Sequence, residues 1–246
     1  MNPWQSRRWK LSRRKLSAPA EFVINSIGTA VSDITANLLA AWNFETINAG
    51  TFAADFGGVT YDLTSVSAPT ATAGLNGNAA TYDGVANQSS NASTELRLGG
   101  GVFSFAFWIK PTLPAATRDF LRYVTTSAGY IFRLSPTGQF SFFTGTGAGY
   151  DGVTATDLVA TNVWNFIAVT RSAGVVSASV SSTSAFKNQN TAAAATYSPA
   201  TGTAMLLNGD IALATQYDSM RVYLRALTNV DFKSVWNNGV GLSYPL

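Results

Sequence analysis

VFSFAFWIKP (residues 102–111) is the stretch that decides the fold. Successive side chains of an extended chain point to opposite faces. Phe103, Phe105, Phe107 and Ile109 therefore share one face, and Ser104, Ala106, Trp108 and Lys110 share the other. Four large apolar groups on one side, each stabilising by about 1.5–3 kcal/mol when buried, predict a core strand of a sheet covered on that face. Trp108, beside Lys110, falls on the opposite face, either partly covered or open to a ligand.

The neighbouring segments read the same way. WNFIAVTRSAGVVSASVS (residues 164–181) consists of two β-rich runs around Ser172, Ala173 and Gly174, with Gly174 able to take positive φ. In SPTGQF, Pro136 sets the turn entry and Gly138 closes it. Further short runs at 38–44, 79–82, 95–98, 120–124, 130–135, 140–144, 204–207, 211–214 and 219–224 are separated by Gly, Asn, Asp, Pro and Ser. That spacing predicts an all-β fold, a two-sheet antiparallel sandwich. One short C-terminal helix is predicted. Thr228 caps it, Asp231 completes the box, Phe232, Val235 and Trp236 share a face, and Gly239 ends it. Trp236 is expected to pack against the sandwich.

Composition bounds the chemistry. Of 246 residues, 46% are hydrophobic and 12% charged, and no apolar run is longer than a strand, so a soluble globular chain without a transmembrane segment is expected. There is no Cys and no His. Thiol catalysis, disulfides, Cys/His zinc sites and a histidine general base are excluded.

The net charge of +3 conceals an asymmetry. Arg7, Arg8, Lys10, Arg13, Arg14 and Lys15 place six positive charges in the first twenty residues, with no acid among them. The remaining ten basic residues face all thirteen acidic ones, so the rest of the chain carries −3. No apolar region or small-residue cleavage site follows the basic cluster, so a signal peptide is not expected. Trp4, Trp9, Leu11 and Leu16 are interleaved with the charges, a pattern suited to docking on an anionic or mixed surface. We expect residues 1–36 to be an extended basic anchoring arm and linker, and residues 37–246 to form the folded domain.

The order of motifs in the body resembles the laminin-G-like branch of the concanavalin A-like lectin and glucanase superfamily. LLAAWNFE supplies an early strand with Trp42 and Glu45; Tyr82, Asp83 and Gly84 match a Tyr-Asp-Gly turn. Trp108, Lys110 and Pro111 match a Trp-x-Lys-Pro strand end, and Trp164 leads the next hairpin. Asp218, Arg221, Tyr223, Arg225, Ala226, Leu227, Asn238 and Gly239 match the closing pattern in order. The chain departs from the pattern in its Ser/Ala/Val hairpin after Arg171 and in Asp55-Phe56-Gly57-Gly58, where the family has a longer Gly/Asn-rich turn.

The resemblance implies a jelly-roll sandwich and a calcium ion at its edge, with Glu45 and Asp218 at the ligand positions. It also implies a sugar-binding surface, for which Trp108, Tyr123, Tyr130, Tyr150 and Asp151 are the candidates: rings stack on sugars, and the carboxylate fixes hydroxyls. Each of these rings equally suits ordinary packing. Glucanases of the superfamily use Glu-x-Asp-x-Glu to set two carboxylates about 5–5.5 Å apart. Here the only Glu residues are Glu21, Glu45 and Glu95, none with a carboxylate two residues away. An enzyme is not expected.

Two functions stay open. One is a virion structural protein of the capsid-decoration, head-fibre or tail-fibre kind. It would be anchored through the arm to other virion or shell proteins, and would display a lectin-like, homo-oligomeric sandwich for adhesion to cell-surface glycans. The other is a secreted or surface carbohydrate-binding module. Nucleic acid is an open but less favoured partner of the arm.

Overall fold

The computed structural model describes residues 33–65, 69–85, 88–202, 204–209, 213–242 and 244. The basic arm, including Arg7, Arg8, Lys10, Arg13, Arg14 and Lys15, lies outside the described residues. The compact unit described here spans Ile34–Leu246.

The strands, in chain order, are β1 (Leu38–Trp42), β2 (Thr51–Phe52), β3 (Leu63–Ser65), β4 (Thr70–Ala73), β5 (Asn78–Asp83), β6 (Ser89–Asn91), β7 (Phe103–Pro111) and β8 (Arg118–Thr125). They continue with β9 (Ala128–Leu134), β10 (Phe140–Gly145), β11 (Tyr150–Thr154), β12 (Asn165–Ser172), β13 (Val175–Ser182), β14 (Asn190–Ala193), β15 (Met205–Leu207) and β16 (Ala214–Tyr223). One sheet runs β14-β13-β12-β7-β16-β5-β4, with β1 also paired to β16; the other runs β11-β10-β9-β8-β15-β6-β3-β2. All strand pairs among the described residues are antiparallel. Among the described residues, the expected all-β two-sheet sandwich with a single short C-terminal helix is the observed architecture.

β7 occupies the centre of the first sheet, between β12 and β16. Its inner face follows the alternation read from sequence: Phe103, Phe105, Phe107 and Ile109 join the core between the sheets. Phe105 and Phe107 meet Phe132 of the opposite sheet at ring-centroid distances of 5.0 and 5.7 Å. The β12–β13 hairpin closes at the predicted turn. Ser172 pairs with Val175, and Ala173 and Gly174 adopt φ of 44° and 79°, the left-handed pair that two-residue hairpins require.

The outer face of the first sheet is covered as well. Helix α1 (Asn229–Trp236) starts with the predicted capping box between Thr228 and Asp231. It packs Phe232, Val235 and Trp236 with Ala106, Trp108, Phe166 and Ala168 in a second apolar cluster. The Trp236 indole N–H donates to the Ser182 carbonyl at 2.8 Å. Two buried layers therefore flank β7.

Three parts of the sequence reading differ from the structure. The runs at 211–214 and 219–224, expected as separate strands, meet in one: β16 is continuous from Ala214 to Tyr223, with Ser219 at its bulge, and residues 211 and 212 lie outside the described residues. Residues 95–98, expected as a strand, lie mostly in a 3-10 turn over Thr94–Arg97. Ser93 accepts the Glu95 amide, and Leu98 turns left-handed at φ 56°. The buried pair Leu96 and Leu98 imitates strand alternation. β2, β3, β4, β6, β11 and β14 were not foreseen: they are two to five residues long and, β11 (YDGVT) apart, rich in Thr, Ser, Ala and Asn, so they carry little apolar signal and exist because a longer neighbour offers them a ladder.

Candidate functional site

The five candidate sugar contacts separate into three environments. Trp108, Tyr123 and Tyr130 are fully buried. Trp108 lies against Phe166 at 5.2 Å beneath the helix layer. The Tyr130 hydroxyl donates to the Leu96 carbonyl at 3.0 Å, and Arg97 Nε donates to the Tyr123 hydroxyl at 3.2 Å. Stacking on a sugar requires an open ring face, which none of these three presents; their roles are structural. Burial raises the Tyr130 hydroxyl well above its ordinary pKa, with the Tyr197 and Tyr123 hydroxyls adding to the shift.

Tyr150 is different. It opens β11 opposite Gly145, and its side chain is 39% exposed. A short Gly-rich turn, closed by the Thr146 amide on the Gly149 carbonyl at 2.9 Å, holds it at the hairpin end. Its hydroxyl donates to the Thr125 carbonyl at 3.3 Å, and partial burial followed by the charge of Asp119 raises its pKa.

Period-two alternation places Tyr150 on the outer face of the second sheet with Phe143 and Ser141 of β10 and Gly152 and Thr154 of β11. The Phe143 ring lies directly over Gly152, where any Cβ would collide with it. Arg133 stands over the Phe143 ring at 5.1 Å and binds Asp119 through two hydrogen bonds of 2.6 and 3.2 Å. Ser141 and Thr154 share a hydroxyl contact of 2.8 Å. The result is an open platform: one accessible ring, one half-buried ring, an Arg held by a buried Asp, and two hydroxyls.

Asp151 does not join it. It pairs with Thr144 and projects from the same side of the hairpin as Val153, a core residue. Its charge acts on Arg171, whose guanidinium holds the Gly101 and Ala194 carbonyls at 2.6 and 3.1 Å. The sequence reading missed Phe143, Arg133 and Asp119, because a surface platform on alternate strand positions looks like ordinary amphipathic patterning. Its one local signal was a Gly at 152 opposite an aromatic at 143.

Glu45 and Asp218 are drawn to one place, the turn between β4 and β5. Asp218 Oδ2 accepts the amides of Leu75 and Asn76 at 2.8 and 3.0 Å, and its Oδ1 accepts the Ser219 hydroxyl at 3.0 Å. Glu45 Oε2 accepts the Asn78 amide at 2.9 Å, and its carbonyl accepts the Asn78 side-chain amide at 2.8 Å. Burial raises Asp218 to about 6, opposed by those hydrogen bonds and reinforced by the charge of Glu45. Asp55, which accepts the Asn43 amide at 2.6 Å, is raised by burial too, with Glu45 reinforcing and Arg221 opposing.

A calcium ion takes six to eight oxygen ligands. Here N–H and O–H donors occupy three of the four carboxylate oxygens, a buried guanidinium lies close enough to act on Asp218 and Asp55, and no group of three or more acidic or other ligating side chains occurs among the described residues. This arrangement does not fit calcium. The two carboxylates instead clamp the turn from both ends.

Comparisons with known proteins agree with the fold. A family model described as Laminin_G_3, concanavalin A-like lectin/glucanases superfamily, matches residues 83–231. Among solved structures, the binding domain of Paraclostridial mosquitocidal protein 1 superposes with a TM-score of 0.65 at 12% identity, over 83% of this chain and 54% of that one. A botulinum neurotoxin type C structure, described as entering cells through two ganglioside molecules, gives 0.63 at 10% identity over 85% and 53%. A Trypanosoma rangeli sialidase mutant with trans-sialidase activity gives 0.63 at 13% identity over 88% and 35%. The chain thus spans about half, or less, of the length of these neighbours, and the likeness is one of fold. No curated protein sequence matches it.

Proposed function

Since this chain belongs to the Laminin_G_3 family of the concanavalin A-like lectin/glucanases superfamily, we propose that it is a non-catalytic display protein that binds glycans through the outer face of its second sheet. The observation that carries this reading is the Tyr150 platform. A half-exposed ring beside Phe143 offers an apolar face to a pyranose, while the Ser141 and Thr154 hydroxyls and the Arg133 guanidinium, held by the buried Asp119, flank it as partners for sugar hydroxyls. Neighbours of the same fold include a toxin domain described with gangliosides and another in complex with SialylT, which supports glycans as the ligand class.

The basic arm gives the display its anchor. Six cations interleaved with Trp4, Trp9, Leu11 and Leu16 dock the chain on a larger assembly, a virion shell or fibre, from which many sandwiches face outward. Single sugar contacts contribute about 1 kcal/mol each, so useful avidity comes from copy number.

The test is a glycan array probed with multimerised protein. Tyr150→Ala is expected to weaken retention at least about tenfold, equivalent to about 1.4 kcal/mol, while leaving the melting temperature unchanged. Retention unaffected by this change removes the platform from the function. Deleting residues 1–20 is expected to abolish co-purification with the parent particle without unfolding the sandwich; a truncated protein that still co-purifies removes the anchoring role.

A further inference from the structure

The groove beside α1 lies on the face of the sandwich opposite Tyr150 and has a chemistry of its own. It is an open depression of about 670 Å³, within the volume range of small-molecule sites. Its floor is aromatic: Phe186 and Trp236 meet at a ring-centroid distance of 5.9 Å and an angle of 59°. The Trp236 hydrogen bond to the Ser182 carbonyl fixes the indole in place. Asn229, Lys233 and Trp236 follow one another at i, i+4 and i+7 along one side of the helix, and Asn188 and Asn238 complete the walls.

Three side-chain amides around an aromatic floor provide paired donors and acceptors, the complement of vicinal hydroxyls on a ring whose C–H face lies on aromatic carbon. Asn229 Oδ1 accepts the Gln189 amide at 3.3 Å, which ties the two walls together and leaves its NH₂ group directed to other acceptors. The groove also carries one charge. Among the described residues no carboxylate pairs with Lys233: Asp231 is held by Arg225 and Thr228, and Asp157 pairs with Lys187 at 3.1 Å. An exposed ammonium in a site otherwise lined by amides, rings and the apolar Val230 selects for a ligand that brings a carboxylate.

We propose that this groove binds the terminal, carboxylate-bearing sugar of a glycan, with Lys233 opposite the carboxylate, the three Asn amides on hydroxyls and Phe186, backed by the buried Trp236, beneath the ring. The proposal rests on the glycan-binding reading above and adds a second subsite with acidic selectivity. A single lysine without neighbouring arginines does not make a polyphosphate or nucleic-acid cradle, which relies on several cations together.

The experiment uses the full-length multimerised protein on immobilised 3′-sialyllactose, a glucuronate-terminated glycan and lactose. Both carboxylated probes are expected to be retained about tenfold better than lactose, the effect of one charge-assisted contact. Lys233→Glu is expected to erase that preference, Lys233→Arg to keep it, and both variants to melt as the wild type does, since the side chain is exposed. Equal retention of the acidic and neutral probes, or a Lys233→Glu protein with undiminished preference, overturns the groove. If Tyr150→Ala then abolishes that retention, the glycan-binding reading survives alone. Retention of no probe overturns both.

Discussion

The two faces of β7 bury the same strand in unlike surroundings. Inward, Phe103, Phe105 and Phe107 meet Tyr130, Phe132 and Phe120, ring against ring. Outward, Ala106 and Trp108 lie in register with Arg221 and Asp218 of β16, and Ser104 with Tyr223. The strand pair is bulged there, where Ser219 takes φ 50°. Trp108 Nε1, Arg221 Nε and the Tyr223 hydroxyl are buried on that face without a hydrogen-bond partner among the described residues. The inner layer is thus held by apolar burial, and the outer layer combines burial with costly polar desolvation. With both faces of the central strand sealed, the two sites proposed above lie elsewhere, at the far sheet's hairpin end and at the edge of the helix.

Substitutions can break that contrast. The largest effect is expected from Phe107→Ala. Emptying the inter-sheet core should cost about 3–5 kcal/mol in urea unfolding, and a loss near 0.5 kcal/mol would mean the inner face is not packed as described. Trp236→Ala removes the cover of the outer layer and leaves the Ser182 carbonyl without its donor. About 3 kcal/mol is expected, and a cost equal to or above that of Phe107→Ala would reverse the ranking of the two layers.

The smallest effect sharpens the contrast through pH. Asp218 titrates near 6 in the folded protein against 3.8 when unfolded, so between those values the folded state holds the extra proton. Its contribution to stability is therefore largest in acid and falls as pH rises from about 4 to about 6. Asp218→Asn keeps an acceptor for the Leu75 and Asn76 amides and removes this slope. The variant should gain on the wild type by on the order of 1–2 kcal/mol across that interval, read from unfolding curves at each pH. A gap that stays constant from pH 4 to 6 would place the titration elsewhere. Phe107→Ala, by contrast, should cost the same throughout.

Much of the fold was legible in the sequence. Alternation placed Phe105 and Phe107 in the core and turned Trp108 the other way, and the Thr228–Asp231 box marked the helix start. The candidate site was far less so. Of the five residues proposed for sugar contact, Tyr150 keeps an open ring, Asp151 turns toward Arg171, and the other three are sealed. Glu45 and Asp218 converge as the family pattern implies, yet they bind backbone amides.

Sequence alone determined the longer apolar strands, the β12–β13 turn and the helix start, because period-two alternation, hairpin glycines and helix caps act within a few residues of one another. Only the tertiary structure decided which aromatic rings meet water and what a carboxylate binds. Those outcomes depend on what packs over a residue: α1 over Trp108, the 3-10 turn over Tyr130, the β4–β5 turn against Asp218. Each covering segment lies far along the chain from the residue it covers, and no local pattern encodes a neighbour that distant.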